Sequence, residues 1–134
     1  MIGTCGPVPD TGVIEAKRVG FAAIVDLRPP GDASRSEQRR AEYSRLRYFN
    51  LPVEGPAPTD DQVRQFAAIA SDRGNLPVLL HGANIDQSGA MWALYRASLG
   101  VPPQIALGDG ETAGLAASRE AIRARLGVQA QTAQ

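Results

Sequence analysis

Residues 78–92 read VLLHGANIDQSGAMW, an apolar run that passes through a tight loop into a segment with helical spacing. The apolar run is typical of a strand buried on both faces of a sheet, and we predict that strand over residues 77–81. Ser88 is the predicted N-cap of the helix that follows and continues to Leu99. The free N–H groups of such a loop suit an anion, although every α/β fold contains ordinary connections of the same outline.

The rest of the chain repeats this alternation of apolar runs and amphipathic segments. The further predicted strands cover residues 2–5, 21–27 and 47–53. The further predicted helices run from a cap at Asp10 or Thr11 to Val19, over 33–46, from a cap at Thr59 or Asp60 to an end at 72–75, and over about 113–126. Strands separated by helices predict an α/β fold with a small, mainly parallel central sheet flanked by helices.

Length and composition predict a single globular domain. We place that domain at residues 1–128 and expect a disordered tail over 129–134. Hydrophobic residues make up 43% and charged residues 21% of the chain, a balance that separates it from disordered proteins. The sequence has no apolar run long enough to cross a membrane and no signal-peptide pattern at its N-terminus. We therefore expect a cytoplasmic protein without membrane contact.

Charge and the rare residue types exclude several kinds of function. The 14 Lys and Arg residues are balanced by 14 Asp and Glu residues, so the basic excess of a general nucleic-acid binder is missing. Cys5 is the single cysteine and His81 the single histidine, which excludes an intrachain disulfide and a Cys- or His-rich metal site. We expect no metal, no cofactor and no nucleic-acid partner.

Polar or reactive side chains lie at or just after each predicted strand: Cys5, Asp26 with Arg28, Glu54, and the segment 81–88. In parallel α/β sheets, ligands bind at the carboxyl ends of the strands. We therefore predict the binding site at this edge. Asp26 and Arg28 are two positions apart and point to the same side, where they either support the structure as a pair or serve the site.

Four short motifs follow one another along the chain: Gly6-Pro7, DLRP at 26–29, LPV at 51–53 and HGANIDQSG at 81–89. Together, over most of residues 3–100, they resemble a small bacterial phosphatase-like domain. That domain is related to the dual-specificity phosphatases and also occurs attached to β-lactamase-hydrolase-like proteins. The resemblance implies a three-layer α/β domain, with 81–89 in the place of the family's His-Cys-x-x-Gly-x-Arg-Ser-Gly loop.

The residues that carry the family's chemistry differ in this loop. The resemblance puts Gly82 in the place of the nucleophilic cysteine, Gln87 in the place of the arginine that clamps phosphate, and Ile85 in the place of a loop glycine. Both a thiolate and an arginine are needed for phosphoryl transfer by this mechanism. Asp86 adds a negative charge that repels a phosphate dianion. We therefore predict that the chain does not hydrolyse phosphomonoesters as the family does.

Three functional hypotheses follow. The first is a pseudophosphatase that binds a small molecule, an oxyanion or a protein partner without turnover. Its expected ligand-binding residues are His81, Gly82, Ala83, Asn84, Ile85, Asp86, Gln87, Ser88, Asp26 and Arg28. The second is an enzyme for a small polar or organic substrate in the same pocket, with acid–base catalysis by His81, Asp86 or Glu54. The third is a phosphatase or sulfurtransferase that uses Cys5 as a relocated nucleophile.

Each candidate also has an ordinary structural interpretation. His81 is alternatively a buried histidine at a strand end, Asp86 a helix cap and Glu54 a solvated loop residue. Cys5 is alternatively a small packing residue. One further group, five arginines in the predicted helix 33–46 and at the start of the strand 47–53, forms either a solvated face or a site for an acidic partner. These are Arg35, Arg39, Arg40, Arg45 and Arg47.

Overall fold

Four parallel strands form the central sheet of the computed structural model, which describes residues 1–129. The strands are β1 (Ile2–Thr4), β2 (Ala23–Asp26), β3 (Arg47–Asn50) and β4 (Val78–His81). Their order across the sheet is β1–β4–β2–β3, and every neighbouring pair is parallel. Asp26 lies in register with His81 on one side and Asn50 on the other, so three strands deliver polar residues to one point at the carboxyl edge.

Helices cover both faces of this sheet. They are α1 (Gly12–Val19), α2 (Asp32–Tyr43), α3 (Asp60–Ser71), α4 (Ile85–Ser98), α5 (Pro103–Thr112) and α6 (Arg119–Leu126), with one 3-10 turn at Arg73–Asn75. The first two pack on one face and the other four on the opposite face. The predicted three-layer α/β fold is confirmed. Within residues 1–129, no helix is long and apolar enough to span a membrane.

The side chains of β2 explain how one strand serves two layers. Ile24 packs against α1 and α2, whereas Val25 and Leu27 pack among the helices of the opposite face. All four residues of β2 are buried, as its apolar sequence predicts. In the larger core the rings of Phe66 and Tyr95 meet edge to face, with centroids 5.0 Å apart.

Two helix predictions are wrong in their boundaries. The helix predicted over 33–46 begins at Asp32 and ends at Tyr43. Arg45 follows in a left-handed backbone conformation, with φ at 60°, which the interior of a helix does not allow. The helix predicted over about 113–126 begins only at Arg119.

α5 is a helix that the sequence analysis missed. Its sequence contains Asp109-Gly110, a pair typical of turns, and it begins at the second of two consecutive prolines. Pro103 occupies the first helical position, where its missing N–H has no intrahelical partner to lose. The predicted single domain over 1–128 stays a prediction, and residues 130–134 of the predicted tail lie outside the described residues.

α4 and α5 approach each other closely at two glycines, Gly89 and Gly110. A Cβ added to Gly110 would lie 2.6 Å from the Cβ of Ala93 and 2.9 Å from the backbone oxygen of Gly89. A Cβ added to Gly89 would overlap backbone atoms of Leu115. The two helices can pack this closely because glycine has no side chain at either position.

We expect Gly110→Ala to lower the free energy of unfolding by about 1–3 kcal/mol, because the added methyl group forces two packed helices apart. Gly108→Ala is the matched control on the same helix, since an added Cβ there meets no atom within 4 Å. Alanine at that position is expected to be neutral or to stabilise by up to about 1 kcal/mol. Urea unfolding followed by circular dichroism measures both changes, and equal effects would contradict the packing argument.

Candidate functional site

An ion pair between Asp26 and Arg28 lies at the carboxyl end of β2. The Nε of Arg28 donates to Oδ1 of Asp26 at 2.9 Å, and its Nη2 donates to Oδ2 at 2.8 Å. The backbone N–H of Arg28 donates to Oδ1 as well, at 3.0 Å. The carboxylate is fully buried and the guanidinium is 20% exposed. Asp26 and Arg28 therefore pair with each other, which is one of the two roles that the sequence left open for them.

Glu37 reaches this pair from α2 and connects it to His81. Oε1 of Glu37 lies 3.1 Å from Nη2 of Arg28, and Oε2 accepts from Nε2 of His81 at 2.6 Å. The same Nε2 lies 4.0 Å from Oδ1 of Asp26. We call Asp26, Arg28, Glu37 and His81 the edge cluster. His81 is fully buried within it, and its Nδ1 has no hydrogen-bond partner among residues 1–129.

Two residues of β3 complete the surroundings of Asp26. The hydroxyl of Tyr48 donates to Oδ2 of Asp26. The side-chain amide of Asn50 donates to the backbone oxygens of Asp26 and Arg28, at 2.9 and 2.8 Å. β3 is thus attached to the edge cluster by side chains as well as by the strand ladder.

The charges in the edge cluster follow from these contacts. Burial alone would raise the pKa of Asp26, but hydrogen bonds from Arg28 and Tyr48 outweigh it, so the pKa lies below its usual value. Burial raises the pKa of Tyr48, and its hydrogen bond to Asp26 raises it further. At neutral pH Asp26 is therefore an anion held by one cation and one neutral hydroxyl donor.

The edge cluster also has the spacing of a small metal site. Ligand atoms of Asp26, Glu37 and His81 lie within 4.8 Å of one another. Arg28 donates to Asp26, forms an ion pair with Glu37 and supplies the positive charge that a metal ion would bring. The residues therefore fit an internal ion-pair network better than a cation site. The absence of a metal stays a prediction.

The loop after β4 is filled by the side chain of Gln87. Its Oε1 accepts from the backbone N–H of Ala83 at 2.7 Å. A Cβ added to Gly82 would overlap this Oε1 and lie 3.1 Å from the Cβ of Gln87. The carboxamide therefore occupies the space that a side chain at position 82 would need.

The start of α4 differs from the prediction. Asn84, not Ser88, is the N-cap, and its Oδ1 accepts from the backbone N–H of Gln87 at 3.0 Å. Asn84 is the residue with the extended backbone of a cap, whereas Ser88 lies inside the first turn. The buried Ser88 hydroxyl donates to the backbone oxygen of Cys5 at 2.7 Å. Ser88 thereby fastens α4 to the end of β1.

Asp86 is engaged by the segment that precedes α6. Its carboxylate accepts from the backbone N–H groups of Ala116 and Ser118, at 2.8 and 3.0 Å, and from the Ser118 hydroxyl at 2.6 Å. Burial alone would raise the pKa of Asp86, but these hydrogen bonds lower it. Asp86 therefore tethers the start of α4 to the chain that enters α6.

Cys5 and Glu54 make no side-chain hydrogen bond or ion pair within the part of the chain that the structure describes. Burial raises the pKa of the half-buried Cys5 thiol, and the charge of Glu37 raises it further. Glu54 is exposed on the loop that follows β3. The structure thus unites Asp26, Arg28 and His81, and no hydrogen bond between described residues joins Asp86 or Glu54 to them.

The sequence profile of a protein family described as "DSP-PTPase phosphatase fused to NAD+ Kinase" matches residues 6–124. The chain belongs to this family. The expected relation to the dual-specificity phosphatases is thereby confirmed. The narrower resemblance, to the domain attached to β-lactamase-hydrolase-like proteins, stays a prediction.

A curated relative of this family member is "Probable NAD kinase 2, chloroplastic" from Oryza sativa subsp. japonica. The two are 36% identical over 99 residues, which cover 67% of this chain and 10% of the rice protein. The chain therefore spans about a tenth of the length of this relative.

Solved structures with the same fold include a bacterial and a yeast protein. A "Putative phosphatase (DUF442)" from Shewanella putrefaciens CN-32 superposes with a TM-score of 0.73 at 21% identity, covering 94% of this chain and 85% of that one. The catalytic core of the PP-IP phosphatase SIW14 from S. cerevisiae gives a TM-score of 0.73 at 12% identity, covering 91% and 78%. At these identities the likeness shows the fold alone.

Sequence reasoning missed three residues around Asp26: Glu37, Tyr48 and Asn50. Glu37 lies in a mostly charged helix. Its sequence spacing from two small residues, Ser34 and Ala41, is what could have indicated that it faces inward. Tyr48 and Asn50 are two positions apart on β3, so they share one side of the sheet.

We expect Asp26→Asn to lower the free energy of unfolding at pH 7 by about 3 kcal/mol, because it leaves Arg28 and Tyr48 without their anionic acceptor. A lowered folded-state pKa contributes stability above the unfolded value, which is about 3.9 for Asp, and this stability is lost as pH falls through the folded pKa. The difference between wild type and variant should therefore shrink below about pH 4.

Urea unfolding from pH 7 to pH 3 measures that difference. Asp61→Asn is the matched control, because Asp61 is 69% exposed and its side-chain partners among the described residues, Arg64 and Gln65, are exposed as well. Its effect should stay within about 0.5 kcal/mol at every pH. A difference for Asp26→Asn that stays constant down to pH 3 would contradict the ionised state of Asp26.

Proposed function

We propose that this chain is a catalytically inactive phosphatase-like domain that binds a ligand or partner at the 81–88 loop without turnover. The observation that carries the proposal is the pairing of Gly82 with Gln87. Position 82 has no side chain to attack phosphorus, and the Gln87 carboxamide takes up the space in front of it. By the resemblance to the phosphatase loop, these positions correspond to the nucleophile and the phosphate-binding arginine.

The charges near the loop support the same conclusion. Phosphoryl transfer requires cationic groups that stabilise the charge of the transferring phosphoryl. Arg28 is the cation at this edge, and Asp26 and Glu37 already neutralise it. Gln87 supplies hydrogen-bonding groups but no charge, and its Oε1 accepts the Ala83 N–H that would otherwise face an anion. A phosphate dianion therefore gains little at this loop.

The surface of the loop suits a neutral ligand or a protein. Ala83, Asn84 and Ile85 are exposed, and the side chain of Ile85 is among the larger apolar groups that face solvent. The family description and the rice relative both name an NAD+ kinase. The protein partner that we propose is accordingly an NAD+ kinase, either a separate chain or a further part of a longer protein.

The two enzymatic alternatives receive less support from the geometry. Acid–base catalysis would need His81 and a carboxylate to face a shared substrate, but His81 is fully buried against Glu37. Asp86 is occupied by Ala116 and Ser118. A nucleophilic Cys5 would need a lowered pKa, and the pKa of its thiol is raised.

Hydrolysis of p-nitrophenyl phosphate tests the proposal directly. The wild type and Cys5→Ser are expected to show no turnover above buffer, because neither has a thiolate in the loop. Gly82→Cys alone should also be inactive, since Gln87 supplies no positive charge to bind the phosphoryl group. The double variant Gly82→Cys with Gln87→Arg is expected to gain activity. Turnover by the wild type that is lost in Cys5→Ser would overturn the proposal.

Thermal melting with phosphate, sulfate or vanadate tests whether the loop still binds oxyanions. A specific ligand raises the melting temperature by mass action. We expect no rise for the wild type and a rise of several degrees for the double variant at saturating vanadate. A rise for the wild type that Gln87→Ala removes would show that the loop retains an anion site. Neutral metabolites that stabilise the wild type, but not Asn84→Ala, would identify the ligand class.

A further inference from the structure

The outer side of the α1/α2 layer carries large apolar side chains that no residue of the described range 1–129 covers. Tyr43 is 91% exposed at the end of α2, and Ile14 is 62% exposed on α1. Together they line a groove of about 420 Å³ between the two helices, which Arg39 and Arg40 border. We call Ile14, Arg39, Arg40 and Tyr43 the α1/α2 groove. It lies on the far side of these helices from the sheet, so it belongs neither to the edge cluster nor to the loop.

The residue types of this groove are those of binding surfaces. Tyrosine and arginine are enriched among the residues that dominate binding energy, and an exposed tyrosine offers a large contact area at low entropic cost. Single exposed apolar residues are ordinary, but here two of them border one concave surface.

The charges around the groove decide which partner fits. Arg40 pairs with Asp10 at 3.3 Å. Arg39 has no carboxylate partner among the described residues, and the same holds for Lys17 and Arg45 on this layer. Glu42 is the one exposed carboxylate of α1 and α2 without an ion pair in the described chain, and it accepts from Gln38 instead. The layer therefore presents unpaired positive charge beside its apolar groove.

We propose that the α1/α2 groove docks an acidic, amphipathic segment of a partner protein. An apolar side chain of the segment packs between Ile14 and Tyr43, and a carboxylate pairs with Arg39. Such a contact combines a buried apolar anchor with a complementary charged rim. A second copy of the chain does not fit through the same surface, because two-fold pairing would bring the unpaired cations together. The proposal is independent of whether the 81–88 loop is catalytically inactive.

Fluorescence anisotropy with three labelled peptides tests the proposal on the full chain. The first is a short helical peptide of Leu, Glu and Asp with its leucines on one face. The second has lysine in place of every acid, and the third has serine in place of every leucine. We expect the first to bind at least ten times more tightly than either of the others, and its affinity to fall as salt is added.

Substitutions at exposed residues locate the binding site, because they leave the buried core unchanged. Arg39→Glu and Tyr43→Ala should each weaken binding of the acidic peptide at least tenfold. The matched controls are Arg73→Glu and Leu99→Ala, which change exposed residues outside the α1/α2 layer and should leave the affinity unchanged. Gln87→Ala should also leave it unchanged, so failure here is separate from failure of the proposed loop function.

Three results would each overturn the proposal. One is equal binding of the acidic and basic peptides, or no binding of the acidic peptide. Another is full affinity in both Arg39→Glu and Tyr43→Ala. The third is a concentration-dependent dimer, measured by light scattering, that Tyr43→Ala abolishes, because the groove would then bind a second copy of this chain.

Discussion

Arg28 connects two buried carboxylates, Asp26 and Glu37, and the carboxyl edge of the sheet is organised around it. A guanidinium is planar and carries several donors, so it can satisfy two acceptors at once in a way that a lysine cannot. Moving these charges out of water is costly, and the cost is offset only if every partner stays in place. β2, β3, β4 and α2 each contribute a side chain to the arrangement. The loop that leaves β4 therefore starts from a fixed point, because His81 at the end of β4 is held by these contacts.

In the loop that follows His81, the Gln87 side chain occupies the space beside Gly82. The Gln87 side chain can turn into the loop because Gly82 lacks a Cβ, and once there it accepts the N–H of Ala83. A side chain added at position 82 would require the Gln87 carboxamide to move. A single change at position 87 would leave Ala83 without its acceptor and add no nucleophile. Gly82 and Gln87 are thus complementary in this structure, because the one leaves the space that the other fills.

Sequence patterns predict elements well where local and tertiary demands agree. β2 and β4 are apolar because both their faces are buried, so their runs could be recognised directly. The sequence predicts that Asp26, Arg28 and His81 lie together, because strand ends in a parallel sheet share one edge. Glu37 cannot be located in this way, because it lies within α2 and not at the end of a strand.

The first residue of a helix is harder to predict from sequence than the strands are. Asn84 and Ser88 are both good capping residues, and only the backbone path decides between them. The choice matters for the site, because it turns Ser88 from a cap that faces a ligand into a buried link to Cys5.

The balanced total charge of the chain conceals an uneven distribution. Of the five arginines between residues 35 and 47, three find partners: Arg35 with Asp32, Arg40 with Asp10, and Arg47 with Asp72 and Asn75. These three arginines are thus engaged, and within residues 1–129 Arg39, which borders the groove with Tyr43, and Arg45 have no carboxylate partner. At the sheet edge Arg28 is held between two carboxylates, and the loop after β4 carries one charged side chain, the anionic Asp86. Free positive charge and exposed apolar area therefore coincide on the helical layer, away from the edge where the fold usually places its chemistry.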